Sequence, residues 1–441
     1  MNTKGRDISE KDLAKFQREY GKSKTNRVVA RAVQKNGIAS TSEDYEMQKK
    51  LARVFSLELE TGNISNQKNS GRCWLFATLN TMRHQFASKY KVKDFELSEN
   101  YNSFYDRLEK ANHFYESVIR TAALPFSDRT VKNLFDFPDD DGGQWANAAA
   151  LVEKYGVVPK SAMPETFNSE KTSEISAVLA RKLRKDGILL RKFVTEGKSS
   201  EILETTKNKF LTEVYRMLVY AFGEPPAKFD YEYRNDDKKY FIDQNITPKE
   251  FFKKYFEWNF ADYVCLSNAP DHKLNELYEL PSQSYIHSGM QVTFANTIID
   301  SLKSTTIAQL KDGEAVWFGS DVGKDSDRKL GILSSELYKK SELFDVDLKL
   351  DKADRLSTGD GTVSHAMAIV GVDIVEGVPV KWKVENSWGD KYGEKGYFIM
   401  SDDWFDQHVY EVIVKKQYLN ESDSKILSKQ AIKMEPWDSL A

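Results

Sequence analysis

The sequence predicts an α+β fold with two lobes, a helical lobe followed by a β-rich lobe, and a large helical insertion between them. Two observations predict it. Segments of helical length and pattern fill the first part of the 441-residue chain. From about residue 284 onward the chain has the short apolar runs and period-two alternation that are typical of strands. Helices that precede strands indicate two lobes, and we expect a cleft between them.

The helical lobe is predicted at residues 61–165 from apolar segments with recognisable ends. A mostly apolar segment follows Cys73 and has the pattern of a buried helix. A second helix is predicted to begin at Ser98, a favourable N-cap residue. A third is predicted over Gln144–Tyr155 and ends at Gly156, as many helices end at a glycine.

Three further segments are predicted around the two lobes. Residues 1–60 are charged and have a helical pattern. Residues 166–280 are long, charged and aromatic with few turn signals, which predicts the helical insertion. Residues 421–441 have, from composition alone, the character of a flexible tail.

The β-rich lobe is predicted at residues 281–420. Ala366–Val372 is an apolar run typical of a well-buried strand. The stretch from Val380 to Asn386 alternates with period two, and three of its apolar residues share one face that we expect to be buried. These three are Val380, Trp382 and Val384. Asn386 falls on the same face, so its carboxamide is predicted to point inward.

Composition excludes several classes of function. The chain has 64 Lys and Arg against 67 Asp and Glu, a net charge of -3, and offers no global field that would attract nucleic acid or an anionic membrane. No run of eighteen apolar residues predicts a membrane span, and the N-terminus lacks the apolar core of a secretory signal, so a cytoplasmic location is expected. Neither a metal-ligand spacing nor a glycine-rich phosphate loop is present, and no cofactor is expected.

The chain has two cysteines, Cys73 and Cys265, too few for a disulfide framework or a thiolate zinc site. Cys73 stands at the start of a predicted helix, where the macrodipole is expected to lower its pKa and favour the nucleophilic thiolate. Gln67 lies on the preceding loop, and its amide is placed to join the Cys73 backbone N–H in an oxyanion hole. Taken alone, a free cysteine is more often a small buried hydrophobe. Cys265 follows an apolar segment and is predicted to be structural.

A base and an orienting group are predicted on the β-rich lobe. His365 opens the strand Ala366–Val372, where an imidazole that faces the cleft can accept the thiol proton. Asn386 can hold one tautomer of that imidazole. Each residue also has a non-catalytic explanation. His365 can be a buried histidine that is hydrogen-bonded to the backbone, and Asn386 can be an asparagine in a turn. No role is assigned to the other histidines, which are His84, His113, His272, His287 and His408.

Together these segments resemble the papain-like cysteine peptidases. The segment from Gln67 to Trp74, then His365-Ala366, and then Asn386-Ser387-Trp388-Gly389 match the catalytic segments of that family in their expected order. The resemblance implies that Cys73, His365, Asn386 and Gln67 are catalytic. It also implies a fold of a helical lobe and a β-barrel lobe. Trp388 would shield the hydrogen bond between His365 and Asn386 from solvent.

A glycine pair and several departures from the usual family pattern narrow the resemblance. Gly142-Gly143 is similar to the pair that binds the substrate backbone. His365 and Asn386 lie much farther beyond Cys73 than the roughly 130–150 residues usual in the family, and the insertion accounts for most of the excess. These features are similar to the bleomycin hydrolase and bacterial aminopeptidase C branch.

That branch implies a cytosolic homohexamer that acts on peptides. It further implies that the arm at 421–441 lies in the active-site cleft, where the Ala441 carboxylate meets the α-ammonium group of a substrate. An endopeptidase without this restriction remains an alternative. A non-catalytic assembly protein and a nucleic-acid-binding protein are alternatives from other classes, which the -3 net charge and the intact catalytic set disfavour.

Overall fold

A computed structural model describes residues 5–441 and confirms the α+β class. The chain divides into two compact units. One unit contains the chain up to Ala52 together with Ser335–Leu350, and the other contains Arg53–Ser334 and Asp351–Ala441. Within residues 5–441, no helix has the length and apolar character needed to cross a membrane.

The helices and strands are numbered in chain order. The helices are α1 (Glu10–Gly21), α2 (Lys24–Asn36), α3 (Ile38–Ser42), α4 (Tyr45–Lys50), α5 (Cys73–Tyr90), α6 (Glu99–Arg120), α7 (Arg129–Asp136), α8 (Trp145–Tyr155), α9 (Phe167–Glu170), α10 (Ser173–Thr195), α11 (Ser200–Phe222), α12 (Pro248–Tyr255), α13 (Ile299–Lys311), α14 (Lys340–Phe344), α15 (Lys352–Thr358), α16 (Asp402–His408) and α17 (Glu421–Ile426). The strands are β1 (Leu57–Glu58), β2 (Phe229–Arg234), β3 (Tyr240–Ile246), β4 (Tyr263–Ser267), β5 (Glu276–Glu279), β6 (Thr293–Asn296), β7 (Val316–Ser320), β8 (Ser326–Asp327), β9 (Ile332–Leu333), β10 (His365–Val375), β11 (Val378–Glu385), β12 (Tyr397–Ser401), β13 (Val409–Lys415) and β14 (Ile432–Lys433).

The smaller unit is built from α1 to α4 and α14. Ser9 begins α1 with a capping box: its hydroxyl accepts from the Asp12 N–H, and the Asp12 carboxylate accepts from the Ser9 N–H. The two stretches of the unit are joined where the Lys339 N–H donates to the Ser42 carbonyl at 2.7 Å.

In the larger unit, two predicted helix boundaries are confirmed by their capping bonds. Ser98 precedes α6, and its hydroxyl accepts from the Tyr101 N–H at 3.1 Å. Gly156 ends α8 with φ of +80°, which a residue with a side chain rarely adopts. The helix α5 is almost wholly buried, from Trp74 to His84, and lies at the centre of this unit.

The stretch predicted as a helical insertion is only partly helical. Helices α9 to α11 fill it as far as Phe222, and α12 follows later, but β2 and β3 form a hairpin between them. Aromatic residues of this hairpin pack on α5, since the Tyr231 ring lies 6.5 Å from that of Phe86. Strands β4 and β5 also precede residue 281, and both belong to the large sheet of the β-rich lobe. The helical prediction is therefore wrong for these four strands, where burial of aromatic and apolar faces determines the structure.

Within the described residues, twelve strands form one mixed sheet. Its order is β14-β5-β6-β4-β13-β7-β10-β11-β12-β9-β8, and β1 pairs with β10. The long strand β10 lies between β7 and β11, both antiparallel to it. On β11, Trp382 and Val384 are buried as predicted, but Val380 is 39% exposed because it lies near the hairpin turn.

Candidate active site

Cys73 is the first residue of α5, and its half-buried side chain lines a cleft of about 1300 Å³. Its sulfur accepts hydrogen bonds from the backbone N–H groups of Ala366 and Trp74. The first bond comes from β10 and the second from α5. The thiol therefore lies where the central helix meets the sheet.

The residue before Cys73 fixes the start of that helix. Arg72 is 1% exposed, and its guanidinium donates to both carboxylate oxygens of Glu165 at 3.1 and 2.8 Å. It also donates to the Ser169 carbonyl at 2.7 Å. A planar guanidinium with a bidentate partner is a rigid anchor. This pair therefore holds the backbone in place immediately before Cys73.

Gln67 is buried and lines the same cleft. Its side-chain Nε2 donates to the Ser70 carbonyl at 2.6 Å, and its Oε1 accepts from the Ser387 hydroxyl at 2.6 Å. The Gln67 N–H also donates to the Ser387 carbonyl at 2.8 Å. One amide hydrogen of Gln67 is not used by these bonds. The loop before Cys73 is thus tied to the residue that follows Asn386.

The structure brings His365 and Asn386 together, with 2.9 Å between His365 Nε2 and Asn386 Oδ1. The Ser387 N–H also reaches Asn386 Oδ1, at 2.8 Å. Because a backbone N–H can only donate, this atom is the amide oxygen and His365 Nε2 must carry the hydrogen. The neutral imidazole therefore keeps its lone pair on Nδ1. The Trp388 ring lies 4.7 Å from the imidazole ring, centroid to centroid.

Gly142 and Gly143 line the same cleft. Their loop is attached to the start of α5, because the Asp141 carboxylate accepts from the Gly71 N–H at 2.9 Å and the Asp141 carbonyl accepts from Trp74 Nε1 at 2.7 Å. A Cβ at Gly143 would lie 2.7 Å from the Trp74 ring. Glycine at 143 is thus required by packing as well as suited to close approach of a substrate.

Burial shifts the pKa of both Cys73 and His365. It raises the pKa of Cys73, although hydrogen bonds from the Ala366 and Trp74 N–H groups act in the opposite direction. It lowers the pKa of His365 to about 4, against the hydrogen bond to Asn386 and together with the Arg328 charge. The thiol and the imidazole are therefore both neutral near pH 7. The expected lowering of the Cys73 pKa by the helix terminus is wrong, because desolvation outweighs it.

The C-terminal arm is held by specific contacts, and its last residue, Ala441, lines the cleft that contains Cys73. Strand β14 pairs with β5 in parallel. Beyond it, His272 bridges two carboxylates, with Nδ1 3.1 Å from Asp271 and Nε2 3.1 Å from Asp438. Hydrogen bonds that His272 donates to the Asp271 and Asp438 carboxylates raise its pKa to about 10, so it carries a charge near neutral pH. These contacts attach the arm to the rest of the larger unit.

Sequence comparison decides the family. A model of the Peptidase C1-like family matches residues 7–441. The chain belongs to the Peptidase C1-like family. The resemblance stated from the sequence is thereby confirmed.

Members of the Peptidase C1-like family with curated names are similar over nearly the whole chain. Aminopeptidase G of Lactobacillus delbrueckii subsp. lactis is 51% identical over 435 residues, which cover 99% of both chains. Aminopeptidase C of Lactobacillus helveticus is 44% identical over 440 residues, covering 99% of this chain and 98% of the relative. The crystal structure of PepW from Lactobacillus rhamnosis HN001 has a TM-score of 0.97 and 48% identity, and the match covers 98% of each chain.

Several residues of this Peptidase C1-like site have no signal in the sequence. Glu411 is buried and lines the cleft, yet in the sequence it is one charged residue in an apolar strand. His272 was assigned no role, because Asp438 lies far from it along the chain. Cys265, predicted to be structural, has its sulfur 3.2 Å from Glu411 Oε2. Within residues 5–441, no group of three or more His, Cys, Asp or Glu side chains is arranged to hold a metal ion.

Proposed function

We propose that this chain is a cysteine aminopeptidase that removes N-terminal residues from peptides and related amides. Membership of the Peptidase C1-like family and the names of its relatives support this function. The observation that carries the proposal is the position of Ala441, which lines the same cleft as Cys73 and His365. The chain terminus can therefore act directly on a substrate.

The chemistry follows from the protonation states. His365 Nδ1, with its lone pair, accepts the Cys73 thiol proton as the sulfur attacks the scissile carbonyl carbon. A tetrahedral intermediate forms, and His365 returns the proton to the departing amine as the carbon–nitrogen bond breaks. This leaves a thioester on Cys73. Water attacks the thioester with His365 as base, and the acid and the free thiol are released. Asn386 orients His365 throughout.

Three further features of the site support these steps: an oxyanion hole, a glycine pair and a covering tryptophan. The free amide hydrogen of Gln67 and the Cys73 N–H donate to the oxyanion, and each such donor is worth roughly 3–4 kcal/mol in comparable enzymes. Gly142 and Gly143 bind the substrate backbone. Trp388 covers the bond between His365 and Asn386, where exclusion of water strengthens it.

The arm accounts for the restriction to N-terminal residues. The Ala441 carboxylate carries a negative charge, and the α-ammonium group of a peptide carries a positive one, so the two form a charge-assisted hydrogen bond. The arm also occupies the side of the cleft that residues preceding the scissile bond would need. An internal bond cannot then reach Cys73, whereas the first peptide bond can.

The deciding experiment pairs a free aminoacyl-aminocoumarin substrate with its N-acetylated twin. Wild type and Cys73→Ala are assayed with both under reducing conditions. We expect wild type to cleave the free form only and Cys73→Ala to cleave neither. Equal cleavage of both forms would replace the aminopeptidase with an endopeptidase. Activity in Cys73→Ala would overturn the catalytic assignment itself.

We also propose that the chain is a cytosolic homohexamer, as the branch it resembles implies. The helix α1 supports an interface, because Leu13, Phe16 and Tyr20 are each at least half exposed and recur along one face. Light scattering on the purified protein measures the mass directly. A mass of one chain would refute the assembly and leave the peptidase proposal in place.

A further inference from the structure

Glu411 lies in a row of residues that crosses the sheet beside the thiol. It pairs with Gly319 of β7, and Gly319 pairs with Ala366 of β10. Paired residues on antiparallel strands point to one face, and all three line the cleft. Neighbouring strands of a sheet lie about 5 Å apart, and Glu411 is two strands away from Ala366, so about 10 Å separates the two residues. The Ala366 N–H donates to the Cys73 sulfur, so Glu411 is within reach of a bound substrate.

The glycine in this row makes room for the carboxyl group. A Cβ at Gly319 would overlap Oε1 of Glu411. Because position 319 has no side chain, the carboxyl group extends over it along the cleft wall. The residue that pairs with Gly319 on its other side, Ala366, is also small. The small residues at 319 and 366 therefore place no bulky side chain between the Glu411 carboxyl group and the cleft.

The carboxyl group has too few partners for its burial. Glu411 is 2% exposed, and its Oε1 has no hydrogen-bond partner among residues 5–441. Its Oε2 accepts only from the weakly polar Cys265 thiol. Burial raises the pKa of Glu411 to about 7, against that hydrogen bond. A buried polar atom without a partner is costly, and such groups concentrate at functional sites.

A second cavity extends the site. Glu411 also lines a neighbouring cavity of about 400 Å³, whose wall is mainly apolar and includes Val292, Phe294 and Ile413. A long side chain with a charged end fits such a surface, because its methylene groups contact the apolar wall while its charge reaches a polar group. The mechanism proposed above gives neither Glu411 nor this cavity a role.

We propose that Glu411 is the receptor for a cationic group of the peptide substrate. The proposal rests on the proposed peptidase function and adds the chemical class that the cleft prefers. The cation is the side chain of lysine or arginine, or the α-ammonium group of the substrate. Either group donates the charge-assisted hydrogen bond that Oε1 lacks.

The test compares wild type with Glu411→Gln, which keeps the shape of the side chain and removes its charge. Substrates are free lysyl- and norleucyl-aminocoumarin. We expect the lysine-over-norleucine ratio of kcat/KM to fall roughly tenfold or more in the variant. An equal loss for both substrates, together with a loss of affinity that is confined to free dipeptides in the binding experiment below, identifies the α-ammonium group as the cation. Unchanged kcat/KM for both substrates, or an equal loss of affinity for free and acetylated dipeptides of both side chains, would overturn the proposal.

Glu314→Gln is the matched control, since Glu314 pairs with Lys415 of the same strand and does not line the cleft. It should leave the ratios unchanged.

A pH series gives a second measurement: the advantage of wild type over Glu411→Gln, taken on the substrate most affected, should grow as pH rises through about 7. The other titratable groups near Glu411 are Cys265, which contacts it, and Lys416, which lines the second cavity. The protonation of Cys73 and His365 is common to both enzymes and therefore cancels in the comparison. A flat advantage from pH 5.5 to 7.5 would also overturn the proposal.

Binding without turnover separates this proposal from the peptidase assignment. Calorimetric titration of Cys73→Ala with the dipeptides Lys-Ala and Nle-Ala, each free and acetylated, measures recognition alone. If Glu411→Gln, introduced into Cys73→Ala, removes the preference for the cationic dipeptide, then Glu411 binds the cation even if no substrate is cleaved. Equal affinities with and without Glu411 refute it even if the chain is an aminopeptidase.

Discussion

Arg83 Nη2 lies 2.7 Å from Glu385 Oε1, and both side chains are buried. Arg83 belongs to α5, the helix that begins at Cys73, and Glu385 ends β11, immediately before Asn386. His84 Nε2 lies 2.8 Å from the other oxygen of Glu385. The helix that begins at Cys73 and the strand that precedes Asn386 are thus joined by one buried charge cluster, which fixes their separation.

Glu385→Gln should destabilise the protein at pH 7. Burial alone would raise the pKa of Glu385, but the charges of His84 and Arg83 lower it to about 2. The ionised carboxylate therefore adds stability that is fully present above about pH 5 and is lost as pH falls toward 2. Loss of one partner of a buried pair costs about 3 kcal/mol. Urea unfolding at pH 7 and pH 4 should show this difference from wild type shrinking at the lower pH.

The matched control for that variant is Glu257→Gln. Glu257 is exposed and pairs with Lys89 near the other end of α5. An exposed pair contributes little, so this change should leave the unfolding midpoint unaltered. Equal effects of the two substitutions would show that the Arg83 cluster does not stabilise the fold.

The pH dependence of kcat/KM should have an unusually low acid limb. His365 must be neutral to accept the thiol proton, and burial lowers its pKa to about 4, so activity should fall only as pH drops through about 4. At the alkaline side, the α-amine of a free substrate loses its proton near about pH 8, and its attraction to Ala441 is lost. The profile is measured in Glu411→Gln, where the titration of Glu411 near pH 7 is absent, and an acid limb near pH 6.5 in that variant would refute a desolvated His365.

Gly143→Ala should impair catalysis more than binding. The added Cβ would lie 2.7 Å from the Trp74 ring, which is itself 2% exposed and cannot move freely. Overpacking of this kind costs about 1–3 kcal/mol, and a shift of Trp74 displaces the adjacent Cys73. Misplacement of a reacting group by about 1 Å costs roughly a hundredfold in rate, so kcat should fall by at least tenfold. Gly21→Ala, with nothing within 4 Å of the added carbon, is the control and should keep full activity.

The sequence predicted those parts of the site that depend on local pattern. Ser98 and Gly156 have recognisable capping roles, and the order of the segments around Cys73, His365 and Asn386 is specific to one family. The charge cluster of Arg83 and Glu385 was not predictable, because its members lie some 300 residues apart in sequence. Their pairing exists only through the packing of α5 on the sheet.

The remaining errors have physical causes as well. The hairpin of β2 and β3 was predicted as helix, because its charged and aromatic composition suits either structure until the packing on Phe86 is known. The Cys73 pKa was expected to be lowered by the helix terminus, whereas burial raises it. Burial is a property of the whole fold, and a local pattern does not report it.

The arm should lose its control of specificity when its contacts with His272 are removed. His272→Gln takes away the charge that lies 3.1 Å from both Asp271 and Asp438, and deletion of Asp438–Ala441 removes the end of the arm entirely. In both variants we expect the N-acetylated substrate to be cleaved more readily relative to the free one, and the effect should be larger in the deletion. Lys273→Gln is the control, because this exposed neighbour pairs with Glu276 and does not contact the arm's last four residues. The ratio of the two kcat/KM values measures the change. A ratio that the deletion leaves at its wild-type value would show that Ala441 does not restrict the cleft.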